Sequence, residues 1–297
     1  MTSKIFFSVI IPNYNQANYL KKAISSVLKQ SFDNFEIIVI DNNSSDNSKK
    51  IVNSFQSSKI RLFNINNQGI ISKSRNFGIL KSNSEWICFL DADDYWFKNK
   101  LLETKKIIEE NKFIDVICNG EIYFFYDFKK FKKKIYKKKN KNLNMFHSLL
   151  LYGNQLSTSA TSVKKKFIRD NEIFFSEDQS IKTSEDYDYW LQLAYKKANF
   201  KFIKKCLGVW LIHEKSTSNQ FNNHNRAYLN VSLNNIEKSR FNIKLKKFLK
   251  KYLYFKYYLI SFKQNFSHRN YFKSFKFLTK ILLNFYFIFT FFKIKKK

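Results

Sequence analysis

Three carboxylates, Asp91, Asp93 and Asp94, follow an apolar run at residues 85–90 that is typical of a buried strand. Ligands of open α/β sheets bind at the carboxyl ends of the strands. Carboxylates this close repel one another unless a cation neutralises them, and oxygen donors suit Mg²⁺ or Mn²⁺. The pattern therefore indicates a divalent-ion site that would hold a diphosphate. The alternative is the acidic N-terminus of a helix at residues 95–111, since Asp also caps helices well.

The elements that must position these carboxylates alternate in type over the first 125 residues. Periodicity predicts strands at 6–11, 36–40, 60–64, 86–90 and 116–125. It predicts helices at 18–30, 46–55, 72–80 and 97–111. Strands that alternate with helices imply parallel pairing, so the sequence predicts an α/β sheet with helices on both faces.

The character of the chain changes at Lys129. Residues 129–142 are a Lys/Asn run that we interpret as an exposed loop or mobile flap. A helix at 184–197 and a strand at 209–213 follow, and everything from about residue 222 is predicted helical. One apolar stripe recurs along the last segment at steps of four and three: Tyr271, Phe275, Leu278, Leu282, Phe285 and Phe289.

The formal charge of +31 is spread very unevenly over the 297 residues. Residues 1–128 hold 16 Lys/Arg against 14 Asp/Glu, whereas residues 129–297 hold 38 against 9. Such a basic half favours an anionic partner, either nucleic acid or acidic lipid. Part of the Lys excess is what an AT-rich genome would encode in any case.

Cysteine and hydropathy patterns restrict the protein class further. Three cysteines without C-x-x-C spacing indicate neither a disulfide framework nor a zinc site. The N-terminus leads within a few residues into a predicted strand, which leaves no room for a signal peptide. The longest apolar run, 281–292, is shorter than a membrane-spanning helix. We therefore expect a cytoplasmic protein that is peripheral on the inner face of the cell membrane.

Five motifs together resemble the family-2 glycosyltransferases, which have the GT-A fold. The motifs occur in the family's order, and the resemblance covers roughly residues 5–220: Val9-Ile10-Ile11-Pro12-Asn13-Tyr14-Asn15, Ile38-Val39-Ile40-Asp41-Asn42-Asn43-Ser44-Ser45-Asp46, Ser74-Arg75-Asn76-Phe77-Gly78, Asp91-Ala92-Asp93-Asp94 and Ser184-Glu185-Asp186-Tyr187-Asp188-Tyr189-Trp190. Asn42 and Asn43 depart from the family's usual Asp-Asp-Gly-Ser text. Asn tolerates positive φ, so Asn43 can take the place of the Gly in that turn.

The resemblance implies a nucleotide-sugar site at the ends of the first strands. Asp41 is similar to the family's nucleotide-reading Asp, and Arg75 is a fork-shaped donor for the diphosphate. Asp93 resembles the metal ligand and Asp91 a ribose or metal partner, while Asp94 stays unassigned. Three residues after the first strand complete the expected nucleotide-sugar site, and the first two would lie against the base: Pro12, Tyr14 and Asn15.

The pair Glu185-Asp186 carries the expected catalysis. Inverting transfer needs a base within hydrogen-bond reach of the acceptor hydroxyl, and the resemblance gives that role to Asp186. Glu185 would position the acceptor, and His213 is a further candidate for phosphate or metal. The alternative for the pair is the acidic first turn of an amphipathic helix. The alternative for His213 is a structural histidine.

The resulting prediction is a GT-A domain with a C-terminal helical extension. We expect a nucleotide-sugar-binding half at 1–128, an acceptor-binding half at 129–220 and a basic aromatic helical tail at 221–297. The function would be metal-assisted inverting transfer from a nucleotide-diphosphate sugar, a UDP-sugar first, with Mg²⁺ or Mn²⁺. The acceptor would be a lipid-linked or surface glycan.

Two cationic aromatic stretches of the tail, 244–263 and 269–297, suit an anionic membrane surface. Nucleic-acid binding is an alternative function for this tail, but no nucleic-acid-binding motif occurs and we expect no nucleic-acid partner. A sugar nucleotidyltransferase would need a Gly-rich loop after the first strand, where residues 13–16 hold no glycine.

Overall fold

The computed structural model describes residues 6–213 and 221–283. The chain forms two compact units, Met1–Glu177 with Tyr189–Ser216, and Asp178–Asp188 with Thr217–Lys297. The described strands are β1 (Phe7–Asn13), β2 (Phe35–Asp41), β3 (Ile60–Asn64), β4 (Trp86–Phe89), β5 (Tyr95–Trp96), β6 (Val116–Phe125), β7 (Lys130–Lys134), β8 (Thr161–Lys164) and β9 (Phe200–Ile212). The described helices are α1 (Ala17–Leu28), α2 (Ser48–Ser54), α3 (Ile71–Lys81), α4 (Lys100–Glu110), α5 (Met145–Tyr152), α6 (Lys165–Asp170), α7 (Glu185–Tyr195), α8 (Phe221–Lys238), α9 (Ile243–Ser267) and α10 (Tyr271–Leu283), with a 3₁₀ turn at Gln179–Ile181.

The strands of the first unit form one mixed sheet in the order β3-β2-β1-β4-β8-β6-β9-β5, with β7 paired to β6. The first four strands of this order are parallel, because each is joined to the next along the chain by a helix. Every residue of β1 and β2 is buried, as the near-continuous apolar runs predict. The parallel α/β part of the prediction is therefore confirmed.

The second half of the sheet contains pairings that the sequence did not predict. β8 lies antiparallel between β4 and β6, and β9 runs parallel to β6 over its whole length. β5 pairs antiparallel with β9, so Tyr95 and Trp96 lie in a strand. The interpretation of residues 91–94 as the cap of a helix at 95–111 is therefore wrong, since that helix begins at Lys100 after Asn99.

The Lys/Asn run is not a loop throughout. Lys130–Lys134 pairs antiparallel with β6, in register from Phe125 opposite Lys130 to Glu121 opposite Lys134. The predicted flap is wrong over these five residues, because the backbone of β6 supplies the hydrogen bonds whatever the side chains of β7 are.

The second unit is helical. Helices α8, α9 and α10 follow one another, as predicted from about residue 222, and α9 packs against both of the others. Tyr271, Phe275 and Leu282 of the predicted stripe are exposed, whereas Phe285 and Phe289 lie outside the described residues. No helix within residues 6–213 and 221–283 combines the length and the apolar character needed to span a membrane.

Left-handed backbone positions are mostly occupied by residues other than glycine. Among the described residues only two glycines have positive φ, Gly69 and Gly153. Nine other residues share this conformation, which costs a side chain of ordinary size roughly 1 kcal/mol or more: Asn15, Asn43, Gln56, Gln68, Lys129, Glu172, Thr183, Lys197 and Arg269.

Candidate active site

The three carboxylates after β4 have different environments, although the sequence places them side by side. Asp94 is buried, and its carboxylate accepts hydrogen bonds from the Leu211 backbone N–H at 2.9 Å and from Ser159 Oγ at 2.5 Å. Burial raises the pKa of Asp94 well above its usual range, and the charges of Asp93, Glu121 and Asp91 add to this. Asp94 thus joins the loop after β4 to the end of β9.

Asp93 turns toward the end of β9. Its Oδ2 lies 3.2 Å from Nε2 of His213, which directly follows Ile212 at the end of the strand. The imidazole of His213 is almost fully buried and stacks on the ring of Tyr19, with 5.0 Å between the ring centroids. A carboxylate and an imidazole that are 120 residues apart in the sequence are therefore in contact.

Asp91 pairs with Arg75 from α3. The guanidinium Nη2 donates to Asp91 Oδ1 at 2.8 Å, and its carbon lies 5.2 Å from the centre of the Phe175 ring. The Asp91 side chain is 30% exposed, whereas that of Arg75 is 4% exposed. The backbone N–H of Asp91 donates to Ser159 Oγ at 3.1 Å, so Ser159 contacts both Asp91 and Asp94.

Asp41 ends β2 and organises the turn that follows it. Its Oδ1 accepts from Asn13 Nδ2 at 2.7 Å, and its Oδ2 accepts from the Ser44 backbone N–H at 3.0 Å. Lys49 Nζ lies 3.9 Å from Oδ2. Asn43 has a φ of 51°, which confirms the prediction that it takes the left-handed turn position of the family's glycine.

The residues after β1 meet this turn. The backbone N–H of Asn15 donates to Ser44 Oγ at 3.0 Å, and its side-chain oxygen accepts from the Ser45 N–H at 2.9 Å. Pro12 is buried within β1, whereas the ring of Tyr14 is 55% exposed. Tyr14 is the predicted base-contacting residue whose ring is open to solvent.

Glu185 and Asp186 lie in the first turn of α7, within the second unit. Asp186 Oδ1 accepts from the Tyr187 backbone N–H at 2.7 Å. The residue before this turn, Ser184, follows Thr183, which has a φ of 79°. A β-branched residue rarely adopts this conformation, so the start of α7 is strained.

A histidine of α8 holds this strained position. His224 Nδ1 donates to the Thr183 carbonyl at 2.9 Å and lies 3.3 Å from its hydroxyl. Burial lowers the pKa of His224, which favours the neutral ring, and the Thr183 carbonyl and the charge of Glu185 oppose that shift. No sequence pattern singles out His224, because a lone histidine in a polar helix belongs to no motif.

A buried polar cluster lies under the carboxylate loop. Lys100 Nζ donates to Asn119 Oδ1 at 2.5 Å, and the Tyr136 hydroxyl donates to Glu121 Oε2 at 2.8 Å. Burial raises the pKa of Glu121 to about 7, although hydrogen bonds and Lys100 favour its ionised form. Burial lowers the pKa of Lys100. These groups were not predicted, because buried charges leave no periodic pattern.

The donor set at Asp93 fits a divalent ion that is also bound by a phosphate. Within residues 6–213 and 221–283, no three His, Cys, Asp or Glu side chains form a complete metal site. Mg²⁺ and Mn²⁺, however, are commonly held by one or two protein ligands together with substrate phosphates. Asp93 and His213 provide one oxygen and one nitrogen donor for that arrangement, whereas Asp91 is paired with Arg75.

The sequence of residues 8–167 matches the family described as Glycosyl transferase family 2. The chain belongs to this family. An uncharacterized glycosyltransferase of Rickettsia typhi is 30% identical over 239 residues, which are 77% of this chain and 68% of the relative. The Escherichia coli protein WfgD, named as a UDP-Glc:alpha-D-GlcNAc-diphosphoundecaprenol beta-1,3-glucosyltransferase, is 36% identical over 39% of this chain and 46% of its own length. The chain spans only 16% and 30% of two other rickettsial glycosyltransferases that it matches.

Solved structures share the fold. TarS of S. aureus in complex with UDP-GlcNAc superposes with a TM-score of 0.69 at 22% identity, over 88% of this chain and 75% of TarS. A mannosyltransferase of Pyrobaculum calidifontis in complex with GDP-Man and Mn²⁺ has a TM-score of 0.63 at 12% identity, over 97% and 86% of the two chains. The predicted GT-A fold and the predicted glycosyltransferase class are therefore confirmed.

Proposed function

We propose that this family-2 glycosyltransferase moves a sugar from a nucleoside diphosphate donor to a hydroxyl acceptor by a single inverting displacement. The observation that carries the proposal is the contact between Asp93 and His213 beside the Arg75–Asp91 pair. These groups lie where the parallel strands end, which is where α/β sheets bind their ligands.

The nucleoside would bind at the ends of β1 and β2. The exposed ring of Tyr14 can lie against the base, and Pro12 and Asn15 would contact the nucleoside beside it. Asp41 would accept from a ribose hydroxyl or base N–H, since a carboxylate oxygen can accept more than one hydrogen bond. UDP is our first candidate, because TarS was solved with UDP-GlcNAc and WfgD is named for UDP-Glc.

The diphosphate would bind between Arg75 and the Asp93–His213 pair. Arg75 is already oriented by Asp91, so its planar fork is fixed before the donor arrives. Asp93 and His213 would hold Mg²⁺ or Mn²⁺ together with the diphosphate, and Asp91 is a further candidate ligand from the neighbouring Arg75 pair. When bound, such an ion stabilises the negative charge that develops on the leaving diphosphate.

Asp186 is the proposed base. It would take the proton of the acceptor hydroxyl while that oxygen attacks the anomeric carbon on the face opposite the diphosphate, which inverts the linkage. Glu185 would orient the acceptor. His224 and Thr183 fix the first turn of α7 that presents both carboxylates.

We further propose a lipid-linked or surface-glycan acceptor at the inner face of the cell membrane. WfgD, similar over about two fifths of this chain, is named for a diphosphoundecaprenol acceptor. The net charge of +29 on residues 129–297 favours an anionic membrane surface over a neutral one. The proposed division of labour remains a donor-binding half at 1–128, an acceptor-binding half at 129–220 and a membrane-associating tail at 221–297.

A thermal-shift panel tests the donor site. The full chain is heated with UDP, GDP, CDP or dTDP, with and without Mn²⁺, and compared with Asp93→Asn and His213→Gln. A nucleotide at 100 times its dissociation constant should stabilise the wild type by about 2.7 kcal/mol. The control is Asp33→Asn, which removes an almost fully exposed carboxylate.

We expect one nucleotide to give a Mn²⁺-dependent shift that Asp33→Asn keeps and both site variants lose. A folded protein that shows no shift with any nucleotide would contradict the proposed donor site. A shift that Asp93→Asn retains in full would contradict the proposed role of Asp93 as a metal ligand, but not the nucleotide site itself.

A further inference from the structure

The β6–β7 hairpin ends in three large aromatic side chains that are open to solvent. Tyr126, Phe128 and Phe131 are 56%, 72% and 68% exposed, and we call them the aromatic tip. Phe131 stacks on Phe124 with 4.5 Å between the ring centroids, so the edge of the tip is anchored to β6. Exposed rings in such a group usually mark an interaction surface.

Lysines surround the aromatic tip. Every residue of β7 is exposed, and all except Phe131 are lysine. Together with Lys129 they form a strand edge with five positive charges, against one carboxylate, Asp127, in the turn. Charged side chains on an edge strand also prevent another chain from pairing there. The hairpin is thus a poor protein docking edge but a strong anion-facing surface.

The hairpin projects from the end of the sheet that carries the candidate active site. β6 and β9 run parallel, and the Tyr126 backbone N–H donates to the Ile212 carbonyl at 2.9 Å. The residue after Ile212 is His213, whose imidazole contacts Asp93. Tyr126, the first residue of the aromatic tip, is therefore hydrogen-bonded to the residue that directly precedes His213 of the proposed metal and diphosphate site.

Aromatic rings beneath lysines suit one partner best. Aromatic side chains favour the headgroup level of a bilayer, and lysines beside them attract anionic lipids. We propose that the aromatic tip inserts into an anionic lipid surface and holds the donor site at the membrane. The lipid contact does not depend on the proposed function; only its use, delivery of a lipid-linked acceptor to the site, rests on it.

Co-sedimentation of the full chain with vesicles tests the contact. The vesicles are phosphatidylcholine alone, or phosphatidylcholine with 30 mol% phosphatidylglycerol. The ring variant is Phe128→Ser with Phe131→Ser, and its control is Phe113→Ser, which removes a ring that is 82% exposed elsewhere in the same unit. We expect the ring variant to bind the anionic vesicles at least tenfold more weakly and the control to bind like the wild type.

The charges are tested with the same vesicles. Lys130→Gln with Lys132→Gln should reduce binding to the anionic vesicles about thirtyfold, because each of the two lysines adds a similar increment to the free energy of binding to an anionic surface. The control, Lys98→Gln with Lys112→Gln, removes two exposed lysines away from the hairpin. Equal losses in both pairs would show that only total charge matters, and would overturn the proposal.

A direct readout separates the hairpin from the basic helices of the second unit. Phe128→Trp should be quenched by brominated lipids in anionic vesicles, whereas Phe113→Trp should not. An unquenched Trp at position 128 in vesicle-bound protein would overturn the proposal. So would a ring variant that loses binding to single-stranded oligonucleotides but not to vesicles, since stacked bases would then be the partner. The nucleotide-dependent thermal shift should be unchanged in all hairpin variants. Failure of the proposed lipid contact can therefore be distinguished from failure of the proposed donor site.

Discussion

Asp94 offers the sharpest test of how the site is built. Its carboxylate is buried and accepts from the Leu211 N–H and the Ser159 hydroxyl. Asp94→Ala removes both acceptors and leaves two buried donors without their partner. Each stranded donor costs roughly 1–3 kcal/mol, so we expect Asp94→Ala to lower the free energy of unfolding by about 2–6 kcal/mol.

Asp94→Asn is the matched control. Its side-chain oxygen can still accept from Leu211, and the Ser159 hydroxyl can accept from its amide instead of donating. We expect a loss of about 1 kcal/mol. The same two variants also test the donor site, because Asp94 holds Leu211, which lies two residues before His213. Asp94→Asn should keep the Mn²⁺-dependent nucleotide shift, and any folded Asp94→Ala protein should show a weaker one.

Urea unfolding followed by tryptophan fluorescence measures the stability term, and calorimetric titration with the nucleotide and Mn²⁺ measures the site. Stability of Asp94→Ala within 0.5 kcal/mol of the wild type, on the order of a surface substitution, would refute the assigned hydrogen bonds. An equal loss in both variants would refute the argument that the acceptor oxygen, rather than the charge, is what matters.

Three further outcomes follow from particular contacts. Gly78→Ala would place its Cβ 2.5 Å from Cγ2 of Ile10, so we expect about 1–3 kcal/mol of destabilisation by urea unfolding; a neutral effect would contradict this and mean that α3 can shift on β1. The folded protein keeps the Glu121 proton up to about pH 7, whereas the unfolded chain releases it near its ordinary value of 4.5, so this group's stabilisation is present below pH 4.5 and is lost as pH rises through 7. Wild type should therefore lose about 3 kcal/mol more stability than Glu121→Gln between pH 4.5 and 8, and parallel pH profiles would contradict this. His224→Ala should lower the turnover of donor hydrolysis but not donor affinity, since His224 contacts Thr183, which precedes the proposed base Asp186; a matching fall in affinity would contradict its assigned role.

Strands β1, β2 and β4 could be predicted because they are buried on both faces, whereas β3, at the edge of the sheet, is only partly buried. A near-continuous apolar run has few alternatives in a soluble domain, and the polar residues after each run mark where the strand ends. The position of Asp91–Asp94 at the carboxyl end of β4 follows from the same pattern. The ends of β1 and β2 shifted by only one or two residues.

The other half of the sheet could not be predicted from local patterns. β7 is almost entirely lysine, a residue depleted in strands, and it is a strand only because β6 pairs with it. The contact between Asp93 and His213 joins residues 120 positions apart. It depends on the long register between β6 and β9, whose irregularity at Gly120 a glycine inside a strand can suggest but whose pairing partner the local sequence does not name.

Ser159 illustrates what composition hides. It bridges Asp91 and Asp94 from a serine-rich turn, and serine in such a segment is expected to be a solvent-facing turn residue. Its role appears only when β8 is inserted between β4 and β6.

The scarcity of glycine at left-handed positions has a consequence for laboratory evolution of this enzyme. The chain holds five glycines in 297 residues, and side chains such as Lys197 and Glu172 occupy turns that glycine would fill without steric cost. Replacing such an exposed residue with glycine removes the steric strain of its positive φ without changing the candidate active site. Each of these positions is therefore a candidate for a stabilising single substitution. A variant that carries several of these glycine substitutions would tolerate the destabilising changes that new donor or acceptor preferences usually require.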